Sequence, residues 1–151
     1  MNTKIRKACF ETNSSSCHSL TITESTKLND IPIPDENGNI MLQSGEFGWE
    51  QDEHFDFEIK AAYVIVYIRD WSGKNQERFR EIFETLLKET TQCEEILYEK
   101  GFWENEGWDN GYIDHQSVED ADLDFLFEDV GELRKLLFNN ESYIETDNDN
   151  H

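Results

Sequence analysis

Nine consecutive residues, Glu11-Thr12-Asn13-Ser14-Ser15-Ser16-Cys17-His18-Ser19, set a carboxylate, hydroxyls, a thiol and an imidazole side by side. These are the groups of nucleophilic catalysis: a hydroxyl attacks, a neutral imidazole takes its proton, and an acidic side chain orients the imidazole. A second imidazole and carboxylate stand together at Asp114-His115. If the chain is an enzyme, the expected catalytic set is Glu11, Asn13, Ser15, His18, Asp114 and His115. The chemistry would be that of a small hydrolase or transferase acting on a nucleotide or a protein side chain. Spacing does not bring the two histidines to one hydroxyl, and the plainer reading is a polar loop whose Asn and Ser side chains cap its own backbone amides.

The same loop, with Lys4, Arg6 and Lys7 close by in sequence, could cradle a phosphate on backbone amides. It lacks the glycines of a nucleotide-binding motif. Cys9, Cys17, His18, Cys93 and His115 are all zinc-ligand types, but no Cys-x-x-Cys or His-x-x-x-His pair is present, so no metal site is expected. The run Asp147-Asn148-Asp149-Asn150 lacks the glycine and distal glutamate of a calcium loop. No cofactor is expected.

Two further segments mix aromatic rings with acids. Trp49, Glu50, Asp52 and Glu53 form the first, and Trp103, Glu104, Glu106, Trp108 and Asp109 the second. Exposed together, they suit a basic partner, whose Arg or Lys groups would stack on the rings and pair with the carboxylates. The competing reading buries the rings and leaves the acids solvated.

The stretch Lys-Ile-Arg-Lys-Ala-Cys-Phe-Glu-Thr-Asn-Ser-Ser-Ser-Cys-His-Ser-Leu, Lys4 to Leu20, resembles the opening of a group of small proteins of tailed bacteriophages and prophages. Their openings read Phe-Glu-Thr-Asn-Ser-Ser-Ser-x-His-Ser. The resemblance extends loosely to Gly45–Glu50, to Gly111–Ser117 and to the Asn-rich end after Leu137, so it spans most of the chain. That group carries no established activity, and the resemblance implies a phage origin more than a chemistry. Ala8 and Cys9 depart from the group's residues before the Phe, which speaks against a catalytic role for Cys9.

Charge is the most unusual property of the chain. Its 151 residues hold 34 Asp and Glu against 13 Lys and Arg, a formal net charge of −21. The excess is uneven: up to Asp30 there are four basic residues (Lys4, Arg6, Lys7, Lys27) and three acidic ones (Glu11, Glu24, Asp30), so all of it lies beyond. A field of this sign repels nucleic acid and anionic membranes and speeds encounter with basic proteins. The expected function is therefore that of a phage accessory protein, an acidic inhibitor acting as a nucleic-acid mimic. Its partner would be a basic host protein, such as a nuclease or another defence effector. Direct binding of nucleic acid is not expected. An assembly or structural role is the remaining class. Three cysteines without paired spacing and no apolar leader point to the host cytoplasm.

The elements that must position these groups are legible in outline. The chain suits one domain, with residues 147–151 as a frayed tail. Ile5–Phe10 and Ser19–Thr23 read as a strand pair, and the Asn37-Gly38 turn before Ile40-Met41-Leu42 predicts an edge hairpin. Phe57, Ala61, Val64, Ile65 and Ile68 fit one helical face, although the β-branched run also permits a strand. Phe79, Ile82, Phe83, Leu86 and Leu87 make a clear helix, with Asn75 as N-cap. Glu95–Tyr98 and Tyr143–Thr146 read as strands, Gly101–Gly111 as an aromatic loop, and Val118–Phe127 and Leu133–Leu137 as helices. The expected fold class is α+β: a small, mainly antiparallel sheet with about three helices packed on one face.

Overall fold

The computed structural model describes residues 4–10, 16–47, 52–105, 111–113 and 123–148. At its centre stands α1 (Phe57–Trp71), in which every residue from Lys60 to Arg69 is buried. The β-branched run Val64-Ile65-Val66 lowers helix propensity by a few tenths of a kcal/mol per residue. Burial outweighs this, since each enclosed large apolar side chain contributes about 2 kcal/mol. The predicted apolar stripe was only one face; Tyr63, Val66 and Tyr67 are buried as well, as befits a helix surrounded on all sides.

A 3₁₀ turn, Gly73–Asn75, runs directly into α2 (Gln76–Thr91). Asn75 occupies the expected N-cap position but makes no side-chain cap hydrogen bond, because the preceding turn leads straight into the helix and Gln76 N donates to Gly73 O. Phe79, Phe83, Leu86 and Leu87 are buried, as their spacing predicts. Two later helices, α3 (Phe125–Glu128) and α4 (Val130–Phe138), close the core; Phe127 stacks on Phe79 with ring centroids 4.2 Å apart, and Phe138 stacks on Phe57 at 5.5 Å. Within the predicted acidic helix 118–127, residues 118–122 lie outside the described residues.

The main sheet is antiparallel throughout, in the order β1 (Lys4–Phe10), β2 (Ser16–Thr23), β8 (Tyr143–Asn148), β5 (Asp52–His54). The last strand is thus interior to the sheet. It runs two residues beyond the predicted Thr146, with Asp147 and Asn148 paired to Cys17 and Ser16. Two small parallel pairs complete the fold: β3 (Asn39–Leu42) with β6 (Glu95–Tyr98), and β4 (Glu46–Phe47) with β7 (Tyr112–Ile113). The class is α+β, as expected.

One expectation is corrected. Residues 35–42 do not form an edge hairpin, because β3 pairs in parallel with β6, more than fifty residues later. Pro32 and Pro34 have no N–H to donate, so the segment before the turn is a poor ladder partner. The turn closes on itself instead: Asp35 Oδ1 accepts from Asn37 N at 2.8 Å and Asn39 N at 2.9 Å, and Gly38 N donates to Asp35 O. The helices α1 and α2 then serve as the crossover that a parallel pair needs.

Lys60 lies on the apolar face of α1, fully enclosed. Its Nζ donates to Asn139 O and Ser142 O, each at 2.9 Å, just past the C-terminus of α4, where carbonyls are left without helical partners. Asn139 Nδ2 in turn donates to Lys27 O, and Ser142 Oγ accepts from Thr23 N. One ammonium thereby joins α1, α4 and the end of β2. Burial pulls its pKa down to about 8, with Asp30 and Asp56 opposing the shift.

Candidate functional site

A row of aromatic groups leads from the sheet to the surface. β2 turns His18 into the interior, where Nδ1 shares a hydrogen bond of 2.9 Å with the Tyr63 hydroxyl of α1. The Tyr63 ring meets Phe47 edge-on at 4.9 Å, and Phe47 meets His54 of β5 edge-on at 5.8 Å. Burial, reinforced by Tyr67, pushes the Tyr63 pKa upward, so its hydroxyl stays neutral. His18 is 1% exposed. Its position is that of a histidine which ties β2 to α1.

A stability prediction follows from this pairing. His18→Phe is expected to cost about 1–3 kcal/mol, because the Tyr63 hydroxyl loses a buried partner. Adding Tyr63→Phe should recover part of that loss, since it removes the hydroxyl that His18→Phe leaves without its imidazole partner. Urea denaturation of the two single variants and the double variant reads this directly; strictly additive losses would show that the pair is not coupled.

Beyond Phe47 and His54 the surface opens into a cleft of about 520 Å³, between the β3–β4 segment and the start of α1. Phe47 and Ala62 line it as buried residues, while Met41 and Ile59 line it with 55% and 39% of their surface exposed. Glu46 and Glu58, both exposed, add carboxylates to the lining. Apolar surface edged with acid is suited to holding a group that is apolar in the middle and cationic around it.

The far wall is held tightly. Gly111 has φ +83°, and a Cβ there would lie 2.6 Å from Gly45 O, so only glycine fits. Tyr112 N donates to that same oxygen at 3.0 Å. Arg69 Nη2 donates to Gly111 O at 2.8 Å, while its Nε and Nη2 each donate to Asp70 at 2.7 Å and its guanidinium lies 4.6 Å from the Phe102 ring centroid. Ser44, beside Gly45, is fixed by two hydrogen bonds to Glu99, from its N and its Oγ.

Of the expected catalytic set, only His18 falls among the described residues; Glu11, Asn13, Ser15, Asp114 and His115 lie outside them. Of the expected binding set, Trp49, Glu50, Glu106, Trp108 and Asp109 likewise lie outside. Asp52 and Glu53 are exposed on β5, with Glu53 directly opposite Glu145. Glu104 is exposed too. Trp103 is half-buried, and the face expected to receive a partner's cation is covered by this chain's own Arg80, 4.2 Å from the ring centroid. Arg80 Nε is held at 3.1 Å by Glu84, which also accepts from the Tyr98 hydroxyl.

Met41, Glu46, His54, Glu58 and Ile59 escaped the sequence reading as a group. One signal was present, since Ile59 is an apolar residue off the helical face of Phe57, Ala61, Val64, Ile65 and Ile68. Among the described residues no three His, Cys, Asp or Glu side chains gather to hold a metal ion, Cys93 is a buried free thiol, and no helix is long and apolar enough to cross a membrane.

The charges are sorted by depth. No Asp or Glu among the described residues is buried, whereas Lys60 and Arg69 are. Folding thus withdraws these two cations from the surface, while no Asp or Glu joins them among the buried residues. Comparison with protein-family models, curated proteins and solved structures finds no match to this chain.

Proposed function

We propose that this chain is an acidic inhibitor that occupies a basic, nucleic-acid-binding surface of another protein. The observation that carries the reading is the sorting of charge: a net charge of −21, with no Asp or Glu among the buried residues while Lys60 and Arg69 are drawn inside. Such a surface presents anionic oxygens where a basic groove would otherwise meet phosphates, and its field speeds the encounter. The resemblance of Phe10–Ser19 to the openings of small phage proteins supports the setting, a host or defence protein such as a nuclease.

The test is capture of basic proteins from a host lysate at low salt, elution by salt, and a displacement assay with each purified partner and labelled nucleic acid. The expected partner releases its nucleic acid when the chain is added, with an affinity that falls steeply as salt rises. Asp52→Lys, Glu53→Lys and Glu104→Lys together should weaken binding by about 100-fold, through like-charge repulsion at the contact. A captured partner that keeps its nucleic acid, or that binds the triple variant equally well, overturns the proposal.

A further inference from the structure

We infer that the cleft between β3–β4 and the start of α1 docks an amphipathic basic segment of the partner: a large apolar side chain enters it, and flanking Lys or Arg groups meet Glu46 and Glu58. This rests on the reading of the chain as a binder of basic proteins, and it identifies where on the acidic surface specificity resides.

Exposed apolar surface is concentrated here. Met41 and Ile59 line the cleft itself; Leu97 stands opposite Met41 in the β3–β6 pair, and Tyr112 opposite Glu46 in the β4–β7 pair. These four make up the majority of the seven large apolar side chains exposed among the described residues. Scattered exposed apolar residues need no explanation, but apolar side chains lining a cleft edged with charge, with further exposed ones on the strands paired to its wall, are characteristic of an interaction site. The volume of about 520 Å³ is ample for one large side chain with its neighbours.

Charge complementarity chooses the occupant. Glu46 and Glu58 are both exposed at the cleft, so both carboxylates can meet a cation. A second copy of this chain would bring another −21 charges to the same place, and an anionic ligand would meet the same repulsion. An apolar side chain carried on a basic segment satisfies both halves of the surface. The site is also preformed: α1 is buried from Lys60 to Arg69 behind it, and the wall at Gly45 and Gly111 is pinned by Arg69 and Tyr112. A preformed site loses less freedom on binding, which favours specific over diffuse attraction.

The probes are two synthetic peptides of equal length and charge, one of Lys and Leu in amphipathic alternation and one of Lys and Ser, titrated calorimetrically into the intact chain. The Lys/Leu peptide is expected to bind at least tenfold more tightly. Met41→Ser with Ile59→Ser should remove that advantage while leaving Lys/Ser binding unchanged. Glu46→Gln with Glu58→Gln should weaken Lys/Leu binding about tenfold and flatten its salt dependence. All four positions are exposed, so circular dichroism should be unchanged in the variants. Equal binding of the two peptides, indifferent to the cleft variants, overturns the docking site while the acidic-surface reading stands; absence of binding by either peptide overturns both. Sedimentation showing a dimer of the chain that Ile59→Ser dissociates would assign the cleft to a second copy and overturn the basic partner.

Discussion

Raising the pH from about 8 towards 10.5 is expected to stabilise the wild-type chain relative to a Lys60→Met variant by roughly 3 kcal/mol. Burial lowers the folded-state pKa of Lys60 to about 8 from the ordinary 10.5. Below about 8 the amine is protonated in both states, and the cost of enclosing the charge is fully present. Between the two values the unfolded chain binds a proton that the folded chain does not, so stability rises with pH. Above 10.5 both states are neutral and the gain is complete. Methionine fills similar space without a titrating group, so the variant lacks this rise.

Urea denaturation of both proteins across that range isolates the effect, because the other titrating groups cancel in the difference. Tyr63 and Tyr98, both held neutral in the fold, act in the opposite direction: from about pH 10 upward the unfolded chain loses tyrosine protons that the folded chain keeps. Wild-type stability should therefore climb above pH 8 and turn over near 10. A difference between wild type and Lys60→Met that is flat with pH would show that the ammonium is not enclosed as described.

Arg69→Met is expected to cost about 2–4 kcal/mol, the second large effect. The guanidinium holds Asp70 with two hydrogen bonds, Gly111 O with a third and the Phe102 ring by its face, and its side chain is only 3% exposed. Its loss leaves Gly111 O without that donor and loosens the wall on which Gly45 rests. Arg69→Lys should restore little, since a single ammonium cannot reproduce the planar fork. Hydrogen exchange gives the local readout: the Tyr112 amide, which donates to Gly45 O, should lose protection before the α2 amides do. Full protection of Tyr112 in Arg69→Met would mean that the wall stands without the arginine.

These two basic residues also mark how far local pattern can be read. Lys60 sits three residues after Phe57 and four before Val64, a cation within an apolar helical face that the pattern of Phe57, Ala61, Val64, Ile65 and Ile68 did not take in. What that cation meets could not be read, because Asn139 and Ser142 lie some eighty residues away. α2 was legible from Phe79, Ile82, Phe83, Leu86 and Leu87, of which all but the half-buried Ile82 are enclosed, since a helix needs only its own periodicity. For α1 the β-branched run left a strand possible, and burial on every side decided in favour of the helix.

Local turn chemistry correctly marked Asp35–Asn39, yet a turn specifies a change of direction and not a partner, so the hairpin expectation failed where β3 found β6. The cleft shows the same limit. Met41, Glu46 and Ile59 are unremarkable in sequence, and only the pairing of β3 with β6 and of β4 with β7, beside α1, turns them into one surface. By itself the sequence determined the α+β class, the helices with strong periodicity and the net charge, all of which are sums or repeats of local properties. Only the tertiary structure decided which strands pair, that His18 meets Tyr63 inside the core, and that Lys60 and Arg69 go inside. Those outcomes depend on contacts between distant segments, where burial and hydrogen bonding are settled together and no single stretch of chain carries the answer.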